Sequence, residues 1–125
     1  MTIQKVLVVD DSRTEQVYLT ELLQRQGMQV RTASNAEEAL QILAQERPDL
    51  ILMDVVMPGK NGFQLTRTIT RNPAYADIPI IMCTSKGQET DKVWGLRQGA
   101  RGYLVKPVNP QDLQSVIGTL AEGQV

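Results

Sequence analysis

Apolar and polar positions follow two rhythms along this chain. Short, nearly unbroken apolar runs stand at Lys5–Asp10, Leu50–Asp54 and Ile78–Cys83, with less uniform ones at Met28–Ala33 and Gly102–Lys106. Such runs fit strands, and the three most apolar fit strands covered on both faces, as in a parallel sheet. Between them the spacing turns helical. Ser12 to Glu15 reads as a capping box, with Leu19, Leu22 and Leu23 behind it and Gly27 as a stop. Asn35 to Glu38 reads as a second box, followed by the stripe Ala36, Ala39, Leu40 and Leu43 and closed by Pro48. A third helix is predicted from about Asn61 to Arg71, with Leu65 and Ile69 inward. A fourth is predicted from about Gln88 to Gln98, with Val93 and Leu96 inward and Gly99 ending it. Asn109-Pro110 caps a fifth, whose stripe is Leu113, Val116, Ile117 and Leu120.

Strand and helix therefore alternate five times. Right-handed crossovers of this kind build a parallel sheet with helices on both faces. Five strands favour the doubly wound order 2-1-3-4-5 over a barrel, which needs about 250 residues. With 125 residues the expectation is one α/β domain spanning residues 1–125. Only Ala121 to Val125 follow the fifth helix, so no output domain is expected. No apolar stretch nears the roughly 20 residues of a membrane span, and no signal-peptide pattern opens the chain. A cytoplasmic protein, without membrane insertion, is expected.

Charge and composition remove whole classes of chemistry. Thirteen Lys+Arg face fourteen Asp+Glu. That balance lacks the basic excess of a nucleic-acid binder. The single Cys83 excludes an internal disulfide or a paired-thiol metal site. The absence of histidine removes Ser-His-Asp triads, His-ligated zinc and any phosphohistidine carrier role. What remains is carboxylate, hydroxyl and amine chemistry.

Those groups sit at strand ends. The first strand finishes in Asp10-Asp11, the third in Asp54, the fourth runs into Thr84-Ser85, and the fifth finishes in Lys106. The predicted order makes these four strands contiguous and gathers their ends on the rim where open α/β sheets bind ligands. Converging carboxylates repel unless a cation intervenes, and an all-oxygen donor set suits a hard ion such as Mg2+. Carboxylate, cation, lysine and hydroxyl together can hold a tetrahedral dianion. A central aspartate can also act as nucleophile, giving an aspartyl-phosphate.

Val9-Asp10-Asp11-Ser12, Asp54 through Pro58 to Gly62, Cys83-Thr84-Ser85, and Gly99 through Gly102 and Tyr103 to Lys106-Pro107 together resemble the receiver domain of bacterial response regulators. The resemblance covers essentially the whole chain. It implies a flavodoxin-like, CheY-like (βα)5 fold and a phosphoacceptor switch in a two-component phosphorelay, not an enzyme. Only self-phosphorylation from small donors and self-dephosphorylation are then expected. Asp54 would accept a phosphoryl group from a histidine kinase, for which a CheA-like kinase is one candidate. Asp10 and Asp11, with Asp54 and the Val56 backbone carbonyl, would hold Mg2+. Lys106 would contact the phosphoryl group, Thr84 would report its presence, and Tyr103 would turn inward in response. The face made by the fourth helix, fifth strand and fifth helix would bind a downstream protein, as in chemotaxis or twitching-motility receivers. Lys106-Pro107 matches a bond usually cis in the family.

Two further readings remain at this stage. One is a non-switching scaffold of the same fold, the other a Mg2+-dependent phosphohydrolase. The latter generally has a carboxylate two residues past its nucleophile, where this chain has Val56. Val56 and Lys86 are expected to flank the path of an attacking water, and the apolar Val56 to slow phosphoryl loss. Trp94 lies one position off the fourth helix's stripe, at the edge of the proposed partner face. Cys83 is expected to be a buried hydrophobe.

Overall fold

The computed structural model describes residues 2–85 and 89–122. Its elements are β1 (Lys5–Val9), α1 (Arg13–Arg25), β2 (Gln29–Ala33), α2 (Ala36–Gln45), β3 (Leu50–Asp54), α3 (Gly62–Thr70), β4 (Ile80–Ser85), α4 (Glu89–Arg97), β5 (Gly102–Lys106) and α5 (Pro110–Ala121). The sheet is parallel, in the order β2-β1-β3-β4-β5.

Alternation along each strand sorts the core into two layers. Leu7, Val9, Ile51, Met53, Ile80 and Met82 point to one face, against Ala39 and Leu43 of α2 and Leu65 and Ile69 of α3. Val6, Val8, Leu50, Leu52, Ile81 and Cys83 point to the other, against Leu19 and Leu23 of α1 and Leu113 and Ile117 of α5. Both faces are covered, which is why these strands carry no polar alternation.

Helix starts differ from expectation in instructive ways. Ser12 Oγ accepts from the Glu15 amide, but the reciprocal arm is missing because the Ser12 amide donates to Asp10 Oδ1 at 2.8 Å. At α2, Asn35 accepts from the Glu38 amide, while Glu38 accepts from Ser34, one residue before the cap. The full reciprocal box is at α3, between Asn61 and Gln64. Strand β4 runs from Ile80 to Ser85, later than the predicted Ile78–Cys83. Pro79 has no amide for the ladder, and Thr84 thereby falls inside the strand.

Helix α4 corrects the sequence reading most. Val93 and Leu96, predicted inward, are 50% and 47% exposed. Gly95 is the buried position, so close to the sheet that a Cβ there would lie 2.6 Å from Met82 Cγ. A helix seated on its glycine turns both flanks outward, and Trp94 is exposed with them. Gln88, the expected start, lies outside the described residues. Gly99 ends the helix as expected, at φ 109°, with the Ala100 amide donating back to Gly95 O.

Gly62 is the other glycine that the fold requires. A Cβ there would stand 1.9 Å from the carbonyl oxygen of Asp54. Gly62→Ala is expected to destabilise the protein by at least about 2 kcal/mol through overpacking. Gly118→Ala, on the open face of α5 with nothing within 4 Å of the new methyl, should instead add about 0.5–1 kcal/mol. Urea unfolding of the two variants tests both signs.

Candidate functional site

Two strand ends place the acidic residues, and a third places the lysine. Asp10 follows β1 and continues its ladder through a bond from its amide to Ala33 O. Asp54 is the last residue of β3, and Lys106 the last of β5. Asp10 and Asp54 are buried, whereas Asp11 is exposed. Each of the three aspartates offers a carboxylate oxygen, all within 4.8 Å of one another. Lys106 Nζ donates to Asp54 Oδ1 at 2.7 Å and to Asp10 Oδ2 at 2.9 Å. The predicted rim is therefore assembled from residues up to 96 positions apart.

Thr84 lies on the intervening strand and is fully buried, yet its hydroxyl has no hydrogen-bond partner. A buried hydroxyl left unpaired costs free energy and calls for a physical reason. Tyr103 faces outward, with the Lys92 ammonium 4.7 Å from its ring centre. Val56 stands at the rim with a side chain 75% exposed. Cys83 is buried, and desolvation pushes its thiol up to about 12, so it is inert at neutral pH. Lys86 lies outside the described residues.

One supporting residue was not anticipated. Gln16 is buried, and its Nε2 donates to Asp10 O at 2.6 Å and to Ser34 Oγ at 3.1 Å. It ties the ends of β1 and β2 together beneath the carboxylates. Its signal was present: Gln16 falls on the same face of α1 as Leu19 and Leu23, a polar side chain where a leucine would be expected.

The response regulator receiver domain family matches residues 6–118. The chain belongs to that family. This receiver domain is 50% identical to protein PilH of Pseudomonas aeruginosa over 119 residues, covering 95% of this chain and 98% of PilH. The chemotaxis response regulator CheY4 of Vibrio cholerae superposes with a TM-score of 0.85 at 37% identity, over 94% of this chain and 98% of that one. The receiver domain of NtrX from Brucella abortus gives a TM-score of 0.87 at 27% identity, over 94% and 98%.

The donor set fits a hard divalent cation. Three oxygens converge, one lysine offsets only part of their charge, and Cys83, the one thiol in the chain, lies buried within the core. Burial raises the carboxyl of Asp54 from 3.8 to about 6; Lys106 pulls it down, while Asp10 and Asp11 push it up. For Lys106, desolvation opposes the charge, but the bonds to Asp54 and Asp10 outweigh it and hold the ammonium above the usual lysine range.

The sign of the Asp54 effect follows directly. Between pH 3.8 and about 6 the folded protein keeps a proton that the unfolded chain has released. Stability therefore falls as pH rises through that window. In metal-free protein, the stability of wild type relative to Asp54→Asn should drop by on the order of 1 kcal/mol from the bottom to the top of the window. Denaturant unfolding of both proteins in a chelator, across that range, tests it; parallel curves would contradict it.

Proposed function

We propose that this receiver domain is a phosphorylation-dependent switch whose phosphoacceptor is Asp54. The observation that carries the reading is the convergence of Asp54 with Asp10, Asp11 and Lys106 beside the unpartnered hydroxyl of Thr84. The reaction needs a nucleophilic carboxylate, positive charge on the transferred oxygens and a donor that senses the product. These residues supply all of them.

An Asp54 carboxylate oxygen attacks phosphorus, and the bond from phosphorus to the donor nitrogen of a kinase histidine breaks. The electron pair leaves with the imidazole. Lys106, already within hydrogen-bond distance of Asp54, neutralises the incoming oxygens. Mg2+, held by Asp10, Asp11, Asp54 and the Val56 carbonyl, would supply charge neutralisation between carboxylates and phosphoryl group. Phosphorylation adds about −1.5 to −2 charges and new acceptor oxygens. The Thr84 hydroxyl gains a partner, and Tyr103 moves into the space it leaves. The outcome is a shift between two arrangements of one fold.

The surface altered is that of α4, β5 and α5, where a downstream protein would dock. Exposed Val93, Trp94 and Leu96, with Tyr103 on the neighbouring strand, support it, since aromatic residues often anchor interfaces. In this reading the chain turns nothing over beyond its own phosphoryl group.

Incubation with Mg2+ and a small acyl phosphate, followed by intact-mass measurement and Trp94 fluorescence, tests the proposal. One phosphoryl group should be gained by wild type and none by Asp54→Asn. A non-switching scaffold would gain nothing, and a phosphohydrolase would release phosphate continuously.

The lifetime of the modified state gives a second test. The exposed Val56 side chain has no polar atom to orient a water for attack on phosphorus. Val56→Asn is expected to lose its phosphoryl group severalfold faster than wild type, short of the roughly 100- to 10,000-fold of general acid–base catalysis, since an amide only orients the water. Equal decay in a mass-spectrometric time course would contradict it.

A further inference from the structure

Helices α3 and α4 run antiparallel to the strands, so their C-terminal ends meet at the pole opposite the acidic rim. Thr70 Oγ1 donates to Gln98 O at 2.9 Å and joins the two ends. Around this junction is a cavity of about 210 Å3, lined by Arg67, Thr70, Arg71, Arg97 and Gln98. Three of the chain's eight arginines line it, and no acidic residue does. Among the described residues, none of the three guanidinium groups has a hydrogen bond or ion pair; Arg97 lies over the ring of Trp94, 5.5 Å from its centre.

Lys5, Arg13, Arg25 and Arg31 likewise lack a side-chain partner but do not line this cavity, and the other described basic groups are paired. Arg47 and Arg101 donate to backbone carbonyls, Lys60 to a threonine, Lys92 to Glu89 and Lys106 to two aspartates. Arg67 and Arg97 stand in the last turns of their helices, where one cation complements each helix dipole. Arg71, the C-cap of α3, stands at the same dipole end as Arg67, but the dipoles do not require all three arginines to line one cavity. Each guanidinium offers five N–H donors in a planar fork matched to phosphate oxygens. The volume lies below the roughly 300–1,000 Å3 of pockets for drug-sized molecules, and suits one or two linked phosphate groups.

We propose that the α3–α4 junction is an anion site for a phosphate-bearing ligand of the size of pyrophosphate or a terminal phosphomonoester. It is separate from Asp54 and independent of the switch reading. An anion held there bridges two helices that the fold otherwise joins by a single side-chain bond at this end. Two sources share this chemistry, a soluble phosphorylated metabolite and a phosphomonoester lipid headgroup.

Titration with inorganic pyrophosphate in a chelator, so that no cation recruits phosphate to the acidic rim, is followed by calorimetry and by Trp94 fluorescence. Saturable binding is expected, weakened about tenfold or more in Arg67→Gln and in Arg97→Gln, as for loss of one charged hydrogen-bonding partner. Both arginines are exposed, so both variants should keep the wild-type unfolding midpoint. Vesicles containing phosphatidic acid form a parallel arm. Arginine-dependent binding to vesicles but not to pyrophosphate assigns the lipid source, and the reverse assigns the soluble one. No binding in either arm, binding unchanged in both variants, or equal binding of sulfate at the same ionic strength would overturn the proposal. The arginines would then serve only the helix ends.

Discussion

Three carboxylate oxygens within 4.8 Å of one another are the constraint from which the rest of this molecule follows. Burial first, and then the charges of Asp10 and Asp11, make Asp54 harder to ionise. One ammonium, on Lys106, bonds to two of them, leaving a surplus of negative charge that faces solvent at Asp11. Desolvation is the main cause that lifts the Asp54 carboxyl to about 6, with the neighbouring carboxylates adding to it. A site in this condition is stabilised by an added cation, and in the proposed function that cation would come before a phosphoryl dianion. Repulsion in the resting state and affinity for the incoming groups are one property.

The backbone keeps the carboxylates from separating to relieve that repulsion. Asp10 is fixed by its own amide on β2, by the Ser12 amide on its carboxylate and by Gln16 on its carbonyl. Asp54 sits in a strand whose five residues are all buried. The chain can turn back directly after it because Gly62 has no Cβ, and the Gly62 amide donates to Val55 O at 2.9 Å. Groups built on strand ends hold their geometry better than groups on loops. The hydrogen bonds that would have completed the α1 capping box are spent on this instead: the Ser12 amide serves Asp10.

This division explains what was legible in the sequence. The sheet order and the convergence of Asp10, Asp11 and Asp54 were readable because strands covered on both faces leave continuous apolar runs that end in these carboxylates, while Lys106 closes the less uniform run of β5. The inward face of α4 was not, because periodicity counts apolar side chains and has no way to register a helix that touches the sheet through Gly95. Val93 and Leu96 therefore passed as core residues while facing solvent. Gln16 escaped for the opposite reason: a polar residue on an apolar stripe looks like noise until its partners are the carbonyl of Asp10 and the hydroxyl of Ser34. The α3 box differs from the one read at Asn35 in having Gln64 where that one has Glu38.

The same feature that misled the reading of α4 bears on how the rim can reach the surface. Side chains two apart on a strand share a face, so Thr84 at the rim and Met82 below it both point toward the α3–α4 layer. Met82 touches Gly95 there and accepts a hydrogen bond on its sulfur from Thr66 at 3.4 Å. Beyond that glycine, α4 is held by Lys92 against the exposed ring of Tyr103 and by the Thr70–Gln98 bond. An exposed cation–π contact contributes only about 0.5–1 kcal/mol, and elements with few buried contacts open first. Under the switch proposed above, a helix seated through one glycine on the strand that carries the unpartnered Thr84 hydroxyl, and linked by Lys92 to Tyr103, is the element on which a new hydrogen bond at Thr84 would act.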